Sequence, residues 1–230
     1  NAVLAAVIII AVVLVTVVFV IILQDGERRI PVQYAKKMQG RKMVGGQSTN
    51  IPLKVNTAGV IPVIFASSLM SFPGVIASLL GKTGGTGIGS KILTGLSQSS
   101  WCDPSRPIYS IGLLIYIVLV VFFAYFYTSI TFNPIEVSNN MKRQGGFIPG
   151  IRPGKPTTEY LSKILNYIVF IGAVGLIIVC VIPIVFNGVF GANVSFGGTS
   201  IIIIVGVVLE TLKQIESQML VRYYKGFLND

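Results

Sequence analysis

Histidine is absent from this chain of 230 residues, and cysteine and tryptophan are scarce, at two and one. Without histidine, the commonest metal ligand and the commonest general base are both missing, and no Ser/His/Asp set can be assembled. No paired carboxylates face each other across a plausible site, which argues against an enzyme. Cys102 falls in a predicted outer loop and Cys180 inside an apolar run, so the two cannot pair, and neither a disulfide framework nor a metal site is indicated. The segment Gly81-Lys82-Thr83 resembles part of a phosphate-binding loop. Its required first glycine would fall at Ile76, and no strand precedes it, so that reading is rejected. Charge is scarce as well, at 11% of residues against about a quarter in soluble domains.

What the chain has instead is long apolar runs. Hydrophobic residues make up 53%, and the mean hydropathy is +0.79. A helix needs about 20 apolar residues to cross roughly 30 Å of hydrocarbon. Five stretches qualify or nearly do: 1–23, 57–80, 108–132, 161–186 and 198–220. The first four contain no Asp, Glu or Arg, and their only lysine, Lys163, stands at an edge. The fifth is apolar as far as Leu209, after which Glu210, Lys213 and Glu216 take it out of the bilayer. The expected fold class is an all-α polytopic membrane protein with five transmembrane helices. The chain opens inside an apolar run, without Met or a basic leader, and reads as a fragment or one half of a longer protein.

The cations are unevenly placed. Of the 18 Lys and Arg residues, fifteen lie in segment 24–54, in segment 133–163 or after residue 212. The intervening connections hold only Lys82, Lys91 and Arg106. The positive-inside rule then puts loops 24–56 and 133–160 and the tail 221–230 in the cytoplasm, with loops 81–107 and 187–197 outside. That rule accounts for most of the net charge of +10, and docking of an RNA-rich or acidic partner stays open beside it.

Loop 24–56 begins with an alternating stretch around Ile30, Val32 and Tyr34 that suits a short strand. Turn glycines follow at Gly40 and Gly45-Gly46, so a protruding hairpin is expected, with Pro31 confining its strand to an edge. The second span carries Pro62 and Pro73 with Ala66, Ser67 and Ser68. This is either a bent helix that another helix approaches closely or an ordinary lipid-packed helix with tolerated kinks. Trp101 suits the membrane interface, and a short amphipathic helix is expected near 91–96. In loop 133–160 the run FIPGIRPGKP makes a stiff, turn-rich tip presenting Arg152, either a recognition element or a plain connector.

Coupled carriers almost always place an ionisable group at mid-membrane. The first four spans lack one. A path built from Ile, Val, Phe, Ser and Asn can be closed by apolar side chains and opened by helix separation, which fits a passive gated channel powered from elsewhere. A small-solute permease or a structural membrane subunit is the alternative, and it leaves the long basic loops unexplained.

The motifs GERRIPVQYAKKMQGRK, QSTNIPLKVNTAGVIPVIFASS, FNPIEVSNNMKRQGGFIPGIRPGKPTTEYL and FGGTSIIIIVGVVLE follow one another across the chain. In this order they resemble the SecY family of protein-conducting channel subunits, over transmembrane helices six to ten. The resemblance implies one half of a ten-helix clamshell with a pore between its halves. That half would belong to a translocase passing unfolded proteins across the bacterial inner membrane and releasing membrane helices sideways into lipid. It implies a pore ring including Ile64 and Ile203. It implies a lateral gate on the second and third spans, involving Asn56, Pro62, Ser67 and Ser68. It also implies docking of a SecA motor or a ribosome at Arg41, Lys42 and Arg152. Implied partners are the N-terminal half, SecE-like and SecG-like subunits, signal sequences and nascent chains, and membrane lipids. No cofactor is implied.

Overall fold

A computed structural model of the chain describes residues 2–35, 37–39, 42–44, 48–81, 88–97, 101, 111–190 and 198–226. In chain order the elements are α1 (Ala2–Asp25), β1 (Glu27–Tyr34), β2 (Lys37–Gln39), β3 (Lys42–Val44), β4 (Ser48–Lys54), α2 (Ile61–Leu79), α3 (Ile88–Leu96), α4 (Ile111–Thr131), α5 (Pro134–Arg143), β5 (Gly146–Phe147), α6 (Lys155–Phe190) and α7 (Gly198–Gly226). The molecule is mostly helical. Among the described residues five short strands accompany the helices, gathered in the polar segments.

Among the described residues, four helices are long and apolar enough to cross a membrane: α1, α2, α4 and α6. An uninterrupted helix pairs every interior backbone N–H and C=O within itself, the condition for crossing hydrocarbon. Outward-facing Leu14, Val15, Phe72, Leu79, Leu114 and Ile171 leave apolar faces far larger than a water-soluble monomer tolerates. The most apolar window of α1 is only 17% buried and that of α6 is 44% buried, so α6 is the central helix of the group. At 36 residues and about 1.5 Å per residue, α6 runs roughly 54 Å, longer than a bilayer core. This is why it begins at Lys155, within the predicted turn-rich loop.

Packing follows the small residues. On α2, Val63, Ala66, Met70 and Ala77 form one buried face against α4, with Phe65 stacked on Phe123 at 5.7 Å. On α4, the buried positions recur every fourth residue, at Gly112, Tyr116, Val120, Ala124 and Thr128. The Thr128 hydroxyl is buried and donates to the Ala124 carbonyl (2.8 Å), so no polar atom there goes unpaired. Ala124 meets Leu165, Val169 and Ala173 of α6. Trp101 is 1% exposed, donates through Nε1 to the Gly95 carbonyl (2.8 Å) and packs on Tyr116. It is thus a buried core residue packed against α3 and α4.

A second core sits where the polar segments meet. Strand β1 pairs antiparallel with β4 from Glu27↔Lys54 to Gln33↔Ser48, and with β5 at Gln33↔Phe147 and Tyr34↔Gly146. It is therefore the middle strand of the order β4-β1-β5, not an edge strand. Pro31 is tolerated because β5 reaches only Gln33 and Tyr34, which leaves the backbone at Pro31 with β4 alone. Alternation turns Ile30 and Val32 inward, onto Leu53, Met141, Ile148, Leu161, Ile164 and Ile168. Burying such a side chain from water contributes about 1.5–3 kcal/mol.

Gly172 on α6 explains how the two cores are joined. A Cβ there would collide with the Val55 carbonyl, so glycine alone lets the segment after β4 lie against the helix backbone. Gly172→Val is expected to destabilise the full-length protein by about 1–3 kcal/mol in thermal unfolding in detergent, the usual range for overpacking. Gly74→Val, where a Cβ meets nothing within 4 Å, should leave the midpoint near the parent value.

Candidate functional site

The segment joining β4 to α2 is built from backbone turns. The Val55 N–H donates to the Gly26 carbonyl (2.8 Å) and the Gly59 N–H to the Asn56 carbonyl (3.3 Å). The Thr57 hydroxyl closes onto the Lys54 carbonyl (2.7 Å). Gly59 takes φ +64°, a left-handed conformation that glycine adopts without the Cβ penalty of other residues. Helix α2 then starts with Pro62 in its first turn, where the missing N–H costs nothing.

This segment, the C-terminal part of α4, the end of α1 and the middle of α7 enclose a cleft of about 650 Å³. Its walls include Asn56, Tyr127, Thr131, Ile202, Ile203 and Glu210, with Lys54 and Lys213 at its charged end. Ile203 is 40% exposed while its neighbour Ile202 is 1% exposed, so α7 buries one isoleucine and turns the next toward open space. Asn56 is half-buried, and its Nδ2 is buried with no hydrogen-bond partner among the described residues. An unpaired amide of that kind costs about 1–3 kcal/mol and calls for an explanation.

The remaining gate and ring candidates lie on α2. Ile64 is 40% exposed and Pro62 is buried. Ser67 is half-buried and donates to the Ile64 carbonyl (3.0 Å), whereas Ser68 is exposed. The structure thus brings Asn56 and Ile203 into one cleft. Ile64, Pro62, Ser67 and Ser68 are not among the described residues lining it. Pro73 sits inside α2 without interrupting it.

The predicted docking tip is ordered by specific bonds. Asn133 has an extended backbone, as the residue before a proline should, and its Oδ1 accepts from the Ile135 N–H (3.1 Å), capping α5. Ile148-Pro149-Gly150-Ile151 closes with the Ile151 N–H donating to the Ile148 carbonyl (3.0 Å), with Gly150 at φ +84°. This is the proline–glycine pattern of a type II turn. Ile148 is buried in the second core. The Thr157 hydroxyl donates to the Arg152 carbonyl (2.9 Å), and the Ser138 hydroxyl donates to the Gly154 carbonyl (3.0 Å). Arg152 is therefore an exposed guanidinium on a backbone held from both sides. Lys42 opens β3 and pairs in register with Gln39, while Arg41 lies outside the described residues.

Two contacts carried no signal in the sequence. Gln24 Nε2 donates to the Ile202 carbonyl (3.2 Å), and Lys213 pairs with Asp25 (2.6 Å). Both join α1 to α7 across nearly the whole chain length, which no local pattern reports. Among the described residues, no group of three His, Cys, Asp or Glu side chains could hold a metal ion.

The SecY family model matches residues 1–212. The chain belongs to the SecY family. It is 50% identical over 213 residues to the protein translocase subunit SecY of Mycobacterium leprae, covering 91% of this chain and 48% of that protein. To the protein of the same description from Streptomyces galbus it is 53% identical over 211 residues, covering 91% and 46%. The chain thus spans about half the length of these SecY relatives. Its fold is similar to a solved structure in which the plug of SecY is described as stabilising the closed translocation channel. There the TM-score is 0.63 at 22% identity, covering 91% of this chain and 49% of that one. A second solved structure, of a protein-conducting channel, matches with a TM-score of 0.58 at 20% identity, covering 90% and 48%.

A residue with a side chain at position 150 must adopt a left-handed backbone, at a cost of about 1–3 kcal/mol. Gly150→Val should therefore speed amide hydrogen exchange over 148–154, while Arg152→Ala should leave that exchange as in the parent.

Proposed function

We propose that this chain is the C-terminal half of a SecY-type protein-conducting channel, contributing five transmembrane helices of a ten-helix clamshell in a bacterial cell membrane. The observation that carries this is membership of the SecY family over residues 1–212, at half the length of the family's curated members. Helix α7 supplies the fifth span as far as Leu209. Loops 24–56 and 133–160 and the tail face the cytoplasm, supported by thirteen of the eighteen cations lying there.

The path for a polypeptide runs between this half and the N-terminal half, with the cleft beside Ile203 as part of its inner approach. Ile203 and Ile64 contribute to an apolar ring. Both are half-exposed in this half alone, as residues facing a pore should be. Branching at Cβ makes isoleucine stiff, which suits a close-fitting collar that excludes water. Helices α2 and α4 form one side of the lateral gate. Pro62, Ser67, Ser68 and the unpaired Nδ2 of Asn56 belong to the surface that parts for signal sequences and nascent membrane helices. Sequestered but unpaired, that amide has most to gain from a partner supplied when the gate rearranges.

Arg152, with Arg41 and Lys42, recruits what pushes the polypeptide, a SecA motor or a ribosome. A guanidinium on an ordered backbone loses little entropy on docking, and its fork of donors fits carboxylate and phosphate alike. SecE-like and SecG-like subunits and membrane lipids cover the outward apolar faces. No catalytic residue and no cofactor are proposed.

In membrane vesicles carrying the full-length channel, Arg152→Glu is expected to lower export of a secreted precursor at least tenfold, with the channel inserted at parental levels. Unchanged export and unchanged motor and ribosome binding would remove the docking role. Ile64→Ser and Ile203→Ser should each raise the resting ion conductance in planar bilayers. Parental conductance in both would withdraw the ring assignment.

A further inference from the structure

Helix α7 must present Ile203 to the cleft while burying Ile202, and consecutive residues on a helix point about 100° apart. A turn of that size about the axis of α7 would exchange their exposure, and a smaller one would already change how far Ile203 opens into the cleft, so the setting of α7 matters. The Lys213–Asp25 pair is exposed on both sides, and such pairs contribute little.

The Gln24 amide is more specific. The Ile202 carbonyl lies in the second turn of α7, where the N–H of residue 206 is its regular partner, so a second donor needs open space beside it. Residue 206 is glycine, which leaves that space. A Cβ built there would stand 3.2 Å from both Nε2 and Oε1 of Gln24, tighter than ordinary contact. Gln24 and Gly206 are thus complementary: the missing side chain on α7 is the place where the α1 amide sits. Both residues and Ile203 line the same cleft.

We infer that Gln24 is a positioning residue, whose amide enters the gap at Gly206, holds the Ile202 carbonyl, and so sets the rotation of α7 that turns Ile203 into the cleft. The consequence for the closed pore rests on the channel reading above; the positioning itself does not.

The test uses the full-length channel with every native cysteine replaced, Cys102→Ser and Cys180→Ala in this half among them, so that Ile203→Cys supplies a single thiol. Its rate of modification by a water-soluble methanethiosulfonate is compared with and without Gln24→Leu, which keeps the bulk and removes the donor. The expected change is about threefold or more, what one net hydrogen bond contributes. Gly206→Ala, which keeps the amide but fills its place, should move the rate in the same direction, and the double variant should add nothing further. A rate unmoved by Gln24→Leu, or additive effects in the double variant, overturns the inference. Should Gln24→Leu fail to insert, Gly206→Ala decides by the same rate. Ile203→Ser in the bilayer conductance assay separates the two claims. Parental conductance there together with a shifted thiol rate leaves the positioning standing and defeats the ring.

Discussion

Along one face of α6 the side chains are reduced to Gly172, Ala173 and Gly175, and neighbouring segments close in to the helix backbone there. The Val55 carbonyl lies against Gly172, Leu23 of α1 against Gly175, and Ala124 of α4 against the face holding Ala173. Within a bilayer there is little hydrophobic gain from burying apolar side chains against one another, since lipid is equally apolar. Close van der Waals contact has to supply the association instead, and small residues are what permit it. The β4–α2 junction, the end of α1 and the lower part of α4 are all located by this face, and all three border the cleft.

Outside the apolar helices the governing physics changes. The sheet β4-β1-β5, helix α5 and the first turns of α6 bury Ile30, Val32, Leu53, Ile148 and Leu161 together, as a small water-soluble domain would. This second core fixes the Pro149-Gly150 turn, because Ile148 is anchored in it and Gly146-Phe147 is paired with β1. One chain thus uses two kinds of core: a tight small-residue contact for elements that span the membrane, and an ordinary hydrophobic one for the platform that carries Arg152.

Much of this was legible in advance. Long runs without charge marked α1, α2, α4 and α6, because hydrocarbon leaves few alternatives. Alternation at Ile30 and Val32 marked a strand, and the proline–glycine pairs marked the tip. Strand β5 is two residues long and has no pattern of its own; it exists because β1 offers it a partner. The burial of Trp101 had no local signal either, because it depends on a carbonyl at Gly95 and a ring at Tyr116 being brought to meet it.

By itself, then, the sequence determined what each segment had to be: which stretches must be helices in lipid, which must be polar, and which family's motifs they carry. These properties depend on near neighbours along the chain and on the solvent. The tertiary structure alone decided that Gln24 faces the Ile202 carbonyl across 178 positions, that Asn56 and Ile203 share one cleft, and that the Nδ2 of Asn56 is buried without a partner among the described residues. Contacts between distant segments depend on how helices cross and rotate. Small residues permit many such arrangements, and only the packed whole selects one.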